Sequence, residues 1–319
     1  IPGVNMRFKS FLLITLLLIT SVLTGQSAYW EHMNSSFGKT YITDIWGVSQ
    51  DLLYATGSEG EIGIWNGSSW TQVRSVSKYE IEDLNAIYGF SETDIWAVGE
   101  KSYDTLFLHW DGFDWTEHGP SIDGEIKDLW AHSSEKIYAV GGDHSIGLLF
   151  SYDGASWTRI PIETENELLT IWGADENSIF IGGESGTIYH WDGQEWQTME
   201  IDTTNSITCI WGTSSQNVYA AAVAANQMFH WDGSNWTELQ TDLPNSSVLS
   251  IWGFDADNFY VSLSNSRNSI YHFNGTTWEP CDYSYRGISS FWPIDSERFY
   301  ATSGNDLIYY DGNTWIDLT

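Results

Sequence analysis

The chain has 319 residues, 19 of them Trp, and its 43 acids against 12 Lys and Arg give a formal net charge of −31. That balance excludes nucleic acid and anionic membrane surfaces as partners, because both need clustered cations. Two Cys are too few for a disulfide framework, so the chain must bury a core of its own.

Residues Ile1–Asn5 precede Met6 and read as lying ahead of the true start. Arg7 and Lys9 form a basic head, Phe11–Leu23 is apolar except for Thr15, Thr20 and Ser21, and Gly25, Ser27 and Ala28 are small. The pattern predicts a secretory signal peptide in residues 1–28, cut near Ser27, and hence an extracellular or periplasmic protein. The apolar run is too short to favour a membrane anchor. Gln26 stands where a lipid-accepting Cys would be needed. Loss of Arg7 and Lys9 leaves ten cations against 43 acids, a net charge near −33 for residues 29–319. Such a chain is expected to be soluble and free of the membrane.

The rest is one unit written seven times, starting near residues 41, 84, 126, 168, 207, 248 and 288. Leu168–Met199 shows it best. Four short runs rich in Ile, Tyr and Trp, namely Leu168–Trp172, Ile179–Ile181, Ile188–Trp191 and Trp196–Met199, are separated by turn signals. Runs this short and this β-prone predict strands a–b–c–d of an antiparallel meander. An aromatic closes the first run at Trp46, Tyr88, Trp130, Trp172, Trp211, Trp252 and Trp292. Asn-Gly or Asp-Gly follows the third run at Asn66, Asp111, Asp153, Asp192, Asp232, Asn274 and Asp311, which predicts a tight turn with positive φ at both central residues. Three residues after each Gly comes Trp70, Trp115, Trp157, Trp196, Trp236, Trp278 or Trp315. A period near 40 with four strands per period predicts an all-β, seven-bladed β-propeller. Tyr29–Met33 resembles an orphan fourth strand and competes with Thr314–Leu318 for the outer edge of the closing blade.

Seventeen of the Trp fall at repeated positions, before or after the turn or in the first strand, where indoles fill the wedge between blades; Trp30 and Trp96 are left over. The Trp after each turn is expected to be largely buried. His109, His190, His230 and His272 also recur, one per blade, so they cannot converge on a metal ion. His32, His118, His132 and His144 show no ligand spacing, and no calcium loop occurs. No metal or cofactor is expected, and Cys209 and Cys281 are expected to be unpaired.

In a meander the a–b and c–d loops share one face, which here carries the repeated turns. The b–c and d–a loops share the other, which is irregular: EKSYDT at Glu100–Thr105, SNSRNS at Ser264–Ser269, CDYSYRG at Cys281–Gly287. Variable loops on a rigid scaffold are where recognition resides. Lys101, Tyr103, Arg267, Tyr283, Tyr285 and Arg286 gather the scarce cations and exposed aromatics of that face and are the candidate ligand-binding residues, suited to a sugar or a protein ligand.

The string I-W-G … I-W/Y-A-V-G … H-W-D-G-x-x-W-T resembles the tandem propeller repeats of many secreted bacterial proteins. It is distantly similar to the Asp-box repeat of sialidases, best at Ser151–Trp157, although Asp to Trp spans one residue fewer here; WD40 repeats share the length but not the Trp-Asp position. The Asp-box is a structural turn, so the resemblance implies fold and no catalytic residue. Three classes follow. A monomeric, non-catalytic recognition scaffold binding a glycan, peptide or protein is the leading one. A glycosidase-like hydrolase would need a carboxylate pair at the axial channel mouth. A redox propeller would need a Cys–Tyr–His set that the sequence lacks. A sialidase-like Arg triad fails, because Arg74 and Arg159 belong to outer strands and Arg298 to the turn face.

Overall fold

A computed structural model describes residues 41–74, 82–143, 145–224, 227–264, 269–281, 287–295 and 297–318. The leader, the orphan-strand candidate Tyr29–Met33, and the candidate residues Arg267, Tyr283, Tyr285 and Arg286 lie outside them. The described residues form seven four-stranded antiparallel sheets, each in simple sequence order. The blades occupy residues 42–74, 82–117, 125–159, 168–198, 207–238, 248–280 and 290–317. First strands of neighbouring blades lie against one another, which puts strand a at the axis and strand d at the rim. Blade 7 supplies its own outer strand, Trp315–Asp317, so its four strands come from one continuous stretch.

Blade 4 shows how sequence becomes blade. Strand a is Leu168–Asp175, b is Ser178–Gly183, c is Ile188–Trp191 and d is Trp196–Thr198. Strand b is buried along its whole length, since neighbours cover both faces of every blade; its run SIFIGG is correspondingly continuous in apolar and small residues. Strand d has three residues, two of them exposed.

The repeated turn differs from the sequence expectation. Trp191 pairs directly with Trp196, so four residues, not two, connect c to d. Only the Gly takes positive φ, near +90°, in all seven blades. The Asp or Asn replaces the second left-handed residue with a side-chain acceptor: Asp192 Oδ1 accepts the N–H groups of Gln194 at 2.9 Å and Glu195 at 3.0 Å.

Between blades lie seven apolar clusters, each drawn from two neighbouring sheets. Each cluster includes a buried aromatic from strand b: Tyr54, Trp96, Tyr138, Phe180, Tyr219, Tyr260 or Tyr300. Each belongs to a position that repeats in every blade, and Trp96, a leftover in the repeat count, is its blade 2 member. Burial of the post-turn Trp is only partly as expected. Trp70 and Trp157 are buried, whereas Trp115, Trp196, Trp236, Trp278 and Trp315 are half-buried. The wedge widens toward the rim, and strand d sits where it opens.

The Ile-Trp-Gly string has a packing cause. A Cβ on Gly89 would lie 2.6 Å from the Trp46 ring of the preceding blade, and one on Gly173 would lie 2.5 Å from Trp130. Both indoles thus rest on the next blade's glycine. The same contact closes the circle, with Trp292 of blade 7 against Gly47 of blade 1. There Ile42 N–H also donates to Gly304 O at 2.7 Å and Tyr300 Oη to Gln50 O at 3.0 Å.

Candidate functional site

The two faces differ in what their side chains are already doing. On the turn face all seven Asp or Asn carry the same pair of bonds to their own backbone, from Asn66 accepting Ser68 and Ser69 N–H to Asp311 accepting Asn313 and Thr314 N–H. These backbone hydrogen bonds hold the carboxyls of Asp111, Asp153, Asp192, Asp232 and Asp311 below the usual range. The recurrent His are equally committed. His190 stacks on Phe180 with centroids 4.3 Å apart and bonds Ser178 Oγ at 3.1 Å; His272 stacks on Tyr260 at 4.5 Å and bonds Asn258 Oδ1 at 2.8 Å. His109 and His230 repeat the arrangement on Trp96 and Tyr219.

Around the axis, the residue two before each first-strand aromatic is Asp44, Ala86, Asp128, Thr170, Cys209, Ser250 or Ser290. Asp44 is a three-blade staple. Its Oδ1 accepts Ile45 N–H at 2.9 Å and Ser290 Oγ–H at 2.5 Å, and its Oδ2 accepts Ile87 N–H at 2.8 Å. Asp128 ties blade 3 to blade 4, through Leu129 N–H at 2.8 Å, Ile171 N–H at 2.9 Å and Thr170 Oγ1 at 3.1 Å. Desolvation among the first strands pushes Asp44 up to about 6 and Asp128 up to about 7 against these bonds. These two axial carboxyls could be spotted in the strings TDIW and KDLW, but only the closed ring shows what they bridge. Cys209 and Cys281 pack into different clusters, between blades 5 and 6 and blades 6 and 7, and burial pushes both thiols up to about 12.

The b–c/d–a face is built differently. Its loops are pinned by backbone bonds between neighbours, such as Ser58 N–H to Tyr41 O at 3.0 Å and Glu184 N–H to Glu167 O at 2.9 Å. Blade 2 stands out. In blade 4 the b–c ladder ends at the pair Gly182–Ile188. In blade 2, whose strands b and c are Asp94–Lys101 and Asp104–Trp110, the equivalent pair Val98–Phe107 is followed by Gly99–Leu106, Glu100–Thr105 and Lys101–Asp104. Beyond that pair the connection runs through residues 99–106 in blade 2 against 183–187 in blade 4, so the three extra rungs carry the tip roughly 5 Å further at the usual rise per strand residue. Ser102 and Tyr103 form the tip, both with positive φ, at 54° and 75°.

Lys101 and Tyr103 therefore sit side by side on this hairpin but present themselves differently. The Lys101 ammonium is held by Glu117 at 2.5 Å and by the buried Glu82 carboxylate at 3.3 Å, which Arg74 also grips at 2.7 Å; the Glu117 hydrogen bond raises its pKa. Tyr103 is 63% exposed. A separate open cleft of about 900 Å³ lies at the rim between blades 4 and 5, with His190, Gln197, Asp202, Trp231 and Trp236 among its walls. A smaller one of about 420 Å³, between blades 6 and 7, is lined by the repeat-equivalent His272, Glu279, Tyr310 and Trp315. The recurrence marks both as products of wedge geometry. Among the described residues no group of three or more His, Cys, Asp or Glu could hold a metal ion, and no helix is long and apolar enough to cross a membrane.

No protein-family model and no curated protein sequence matches the chain. Solved structures do. Virginiamycin B lyase from Staphylococcus aureus superposes with a TM-score of 0.71 at 12% identity, over 87% of this chain and 96% of the other. YCF48 bound to D1 peptide gives 0.69 at 12% identity, over 87% and 94%. The WD40 propeller domain of Doa1 gives 0.68 at 12%, over 85% and 92%. At such identities the likeness establishes the propeller fold and nothing finer.

Proposed function

We propose that this chain is a non-catalytic recognition propeller that binds a peptide or protein through its b–c/d–a loop face. The observation that carries the reading is the asymmetry of the faces. Turn-face polar groups are spent on their own backbone, whereas the loop face bears a projecting hairpin and varied side chains that no turn requires. The structure of YCF48 with a D1 peptide is a case of a similar ring holding a peptide. A glycan is a second ligand class for the same face. The glycosidase alternative is weakened by Asp44 and Asp128, whose four oxygens all accept hydrogen bonds from the ring itself. Secretion belongs to the proposal and rests on residues 6–28; N-terminal sequencing of protein recovered from culture medium would test it.

The binding test is a peptide and glycan array probed with purified residues 29–319. Hits should lose affinity when loop-face residues are changed and keep it when turn-face residues are changed. The opposite pattern would overturn the assignment of the face. So would a failure of the array to return any ligand while the protein is folded.

A further inference from the structure

We infer that Tyr103 is the anchoring side chain of this face and that its partner is a cationic, Lys- or Arg-bearing peptide segment. The inference rests on the proposed binding face and names its centre and its ligand class. The first ground is an internal comparison. The b–c turns of blades 1 and 4 also carry two consecutive left-handed residues, Glu59-Gly60 and Ser185-Gly186. Their second position is Gly, the residue that takes positive φ without steric cost. In blade 2 the tip is the shorter two-residue turn Ser102-Tyr103, and its second left-handed residue is Tyr103 at φ 75°. A bulky aromatic there is strained, and with 63% of its surface exposed it gains little packing in return. The fold would be better served by glycine, so the ring is explained by what it touches outside the chain.

The second ground is how firmly the ring is offered. Tyr103 O accepts Gly124 N–H at 2.8 Å, Thr105 N–H donates to Ile122 O at 2.8 Å, and Asp104 pairs with Asp123 across the d–a loop. Ser121 Oγ–H closes on Asp104 Oδ2 at 2.6 Å. These bonds brace the backbone of the tip, so the hairpin offers its aromatic from a fixed position and lowers the ordering cost of binding.

The third ground is charge. Glu59 N–H bonds Asp83 Oδ1 at 2.9 Å, Asp83 stands opposite Glu100 in the ladder, and Asp104 stands opposite Asp123. Among the described residues, the neighbouring cations Lys101 and Arg74 are shared with Glu82 and Glu117. The phenol thus projects from an acidic surround, which complements a guanidinium or ammonium stacked on the ring and repels an acidic chain.

The probe is a fluorescein-labelled peptide of alternating Arg and Gly, with its Glu–Gly counterpart, titrated by anisotropy at physiological salt against residues 29–319. The basic peptide should bind and the acidic one should not. Tyr103→Gly should weaken binding by roughly tenfold or more, with a melting temperature equal to or above that of the parent. Tyr103→Phe keeps the ring and should stay within about threefold. Phe113, on the turn face, is 90% exposed; Phe113→Ser should leave binding unchanged. Unchanged binding by Tyr103→Gly, equal loss on Phe113→Ser, equal affinity for the acidic peptide, or no binding of the basic one would each overturn the inference. If array ligands are lost on changing other loop-face residues but not on Tyr103→Gly, the binding face stands and Tyr103 falls.

Discussion

At the scale of single residues, depth in the wedge decides what a side chain contributes. Trp96 is among the largest fully buried side chains and meets His109, His118, Tyr152 and Trp157 at centroid distances of 4.3–5.5 Å. Trp96→Ala should therefore cost about 3–5 kcal/mol through the cavity it leaves. Trp196 is half-buried, where solvent can fill part of the space, and Trp196→Ala should cost clearly less, on the order of 1–3 kcal/mol. Urea denaturation of the two variants checks the ranking, and the reverse order would refute the depth argument. The sequence made the opposite ranking natural. Trp at a fixed spacing from Asp-Gly is conspicuous, while the strand b position varies among Tyr, Trp and Phe and so hides its regularity. Tyr103 was legible as an exposed loop aromatic, but its left-handed backbone was not, because φ at a turn depends on where the ladder ends.

At the scale of elements, the contact of Trp on Gly joins the first strands of blades 1, 3, 4 and 7 to the next blade. Gly89→Ala would place a methyl group 2.6 Å from the Trp46 indole, a ring that also packs near Tyr54 at 6.1 Å between centroids. The indole must shift, and overpacking of this kind costs about 1–3 kcal/mol. Because φ at Gly89 is not left-handed, the loss reports packing alone; Trp46→Phe in the same chain should recover part of it, which a double-mutant cycle would measure. If the two changes proved additive, the strand-to-strand contact would not be the cause. The turn is the other element-level lesson. Sequence located all seven, but the four-residue connection with a side-chain acceptor emerged only from the pairing of Trp191 with Trp196.

At the scale of the whole ring, the axial carboxyls couple stability to pH. Asp44 and Asp128 are raised to about 6 and about 7 from an ordinary 3.8. The folded ring therefore holds protons that the unfolded chain has released. Their stabilising contribution is complete below about 3.8 and is lost as pH rises through 6 and 7. His190, His230 and His272 pull the other way, since burial lowers their pKa and acid favours the unfolded chain near 6.5. The readout is thus a difference. The change in melting temperature on going from pH 8 to pH 5.5 should be less favourable in Asp128→Asn than in the parent, and the double variant with Asp44→Asn should extend the effect. Identical pH profiles would show that the axial carboxyls ionise normally. Because Asp44 bridges blades 7, 1 and 2, Asp44→Ala should also lower the unfolding midpoint by more than the same change at the exposed turn residue Asp257.

By itself, the sequence determined the number of blades, the strands in each, the position of every turn and the division into a repetitive and an irregular face. All of these are local or periodic: alternation, Asp-Gly punctuation and a spacing near 40 are written within each repeat, and seven copies make the signal redundant. Tertiary structure decided what depends on neighbours from other repeats. It buried a strand b aromatic in every wedge and left five of the post-turn Trp half-buried, because the wedge between sheets opens outward. It turned Asp44 and Asp128 from scattered acids into staples across blade boundaries, because partners over 40 positions away in sequence are brought within hydrogen-bond distance only when neighbouring blades pack together. It enlisted Lys101 in an ion-pair network with Glu82 and Glu117 and raised Tyr103 on three extra rungs of ladder, because the length of a hairpin is fixed by pairing across the sheet and not by the composition of its loop.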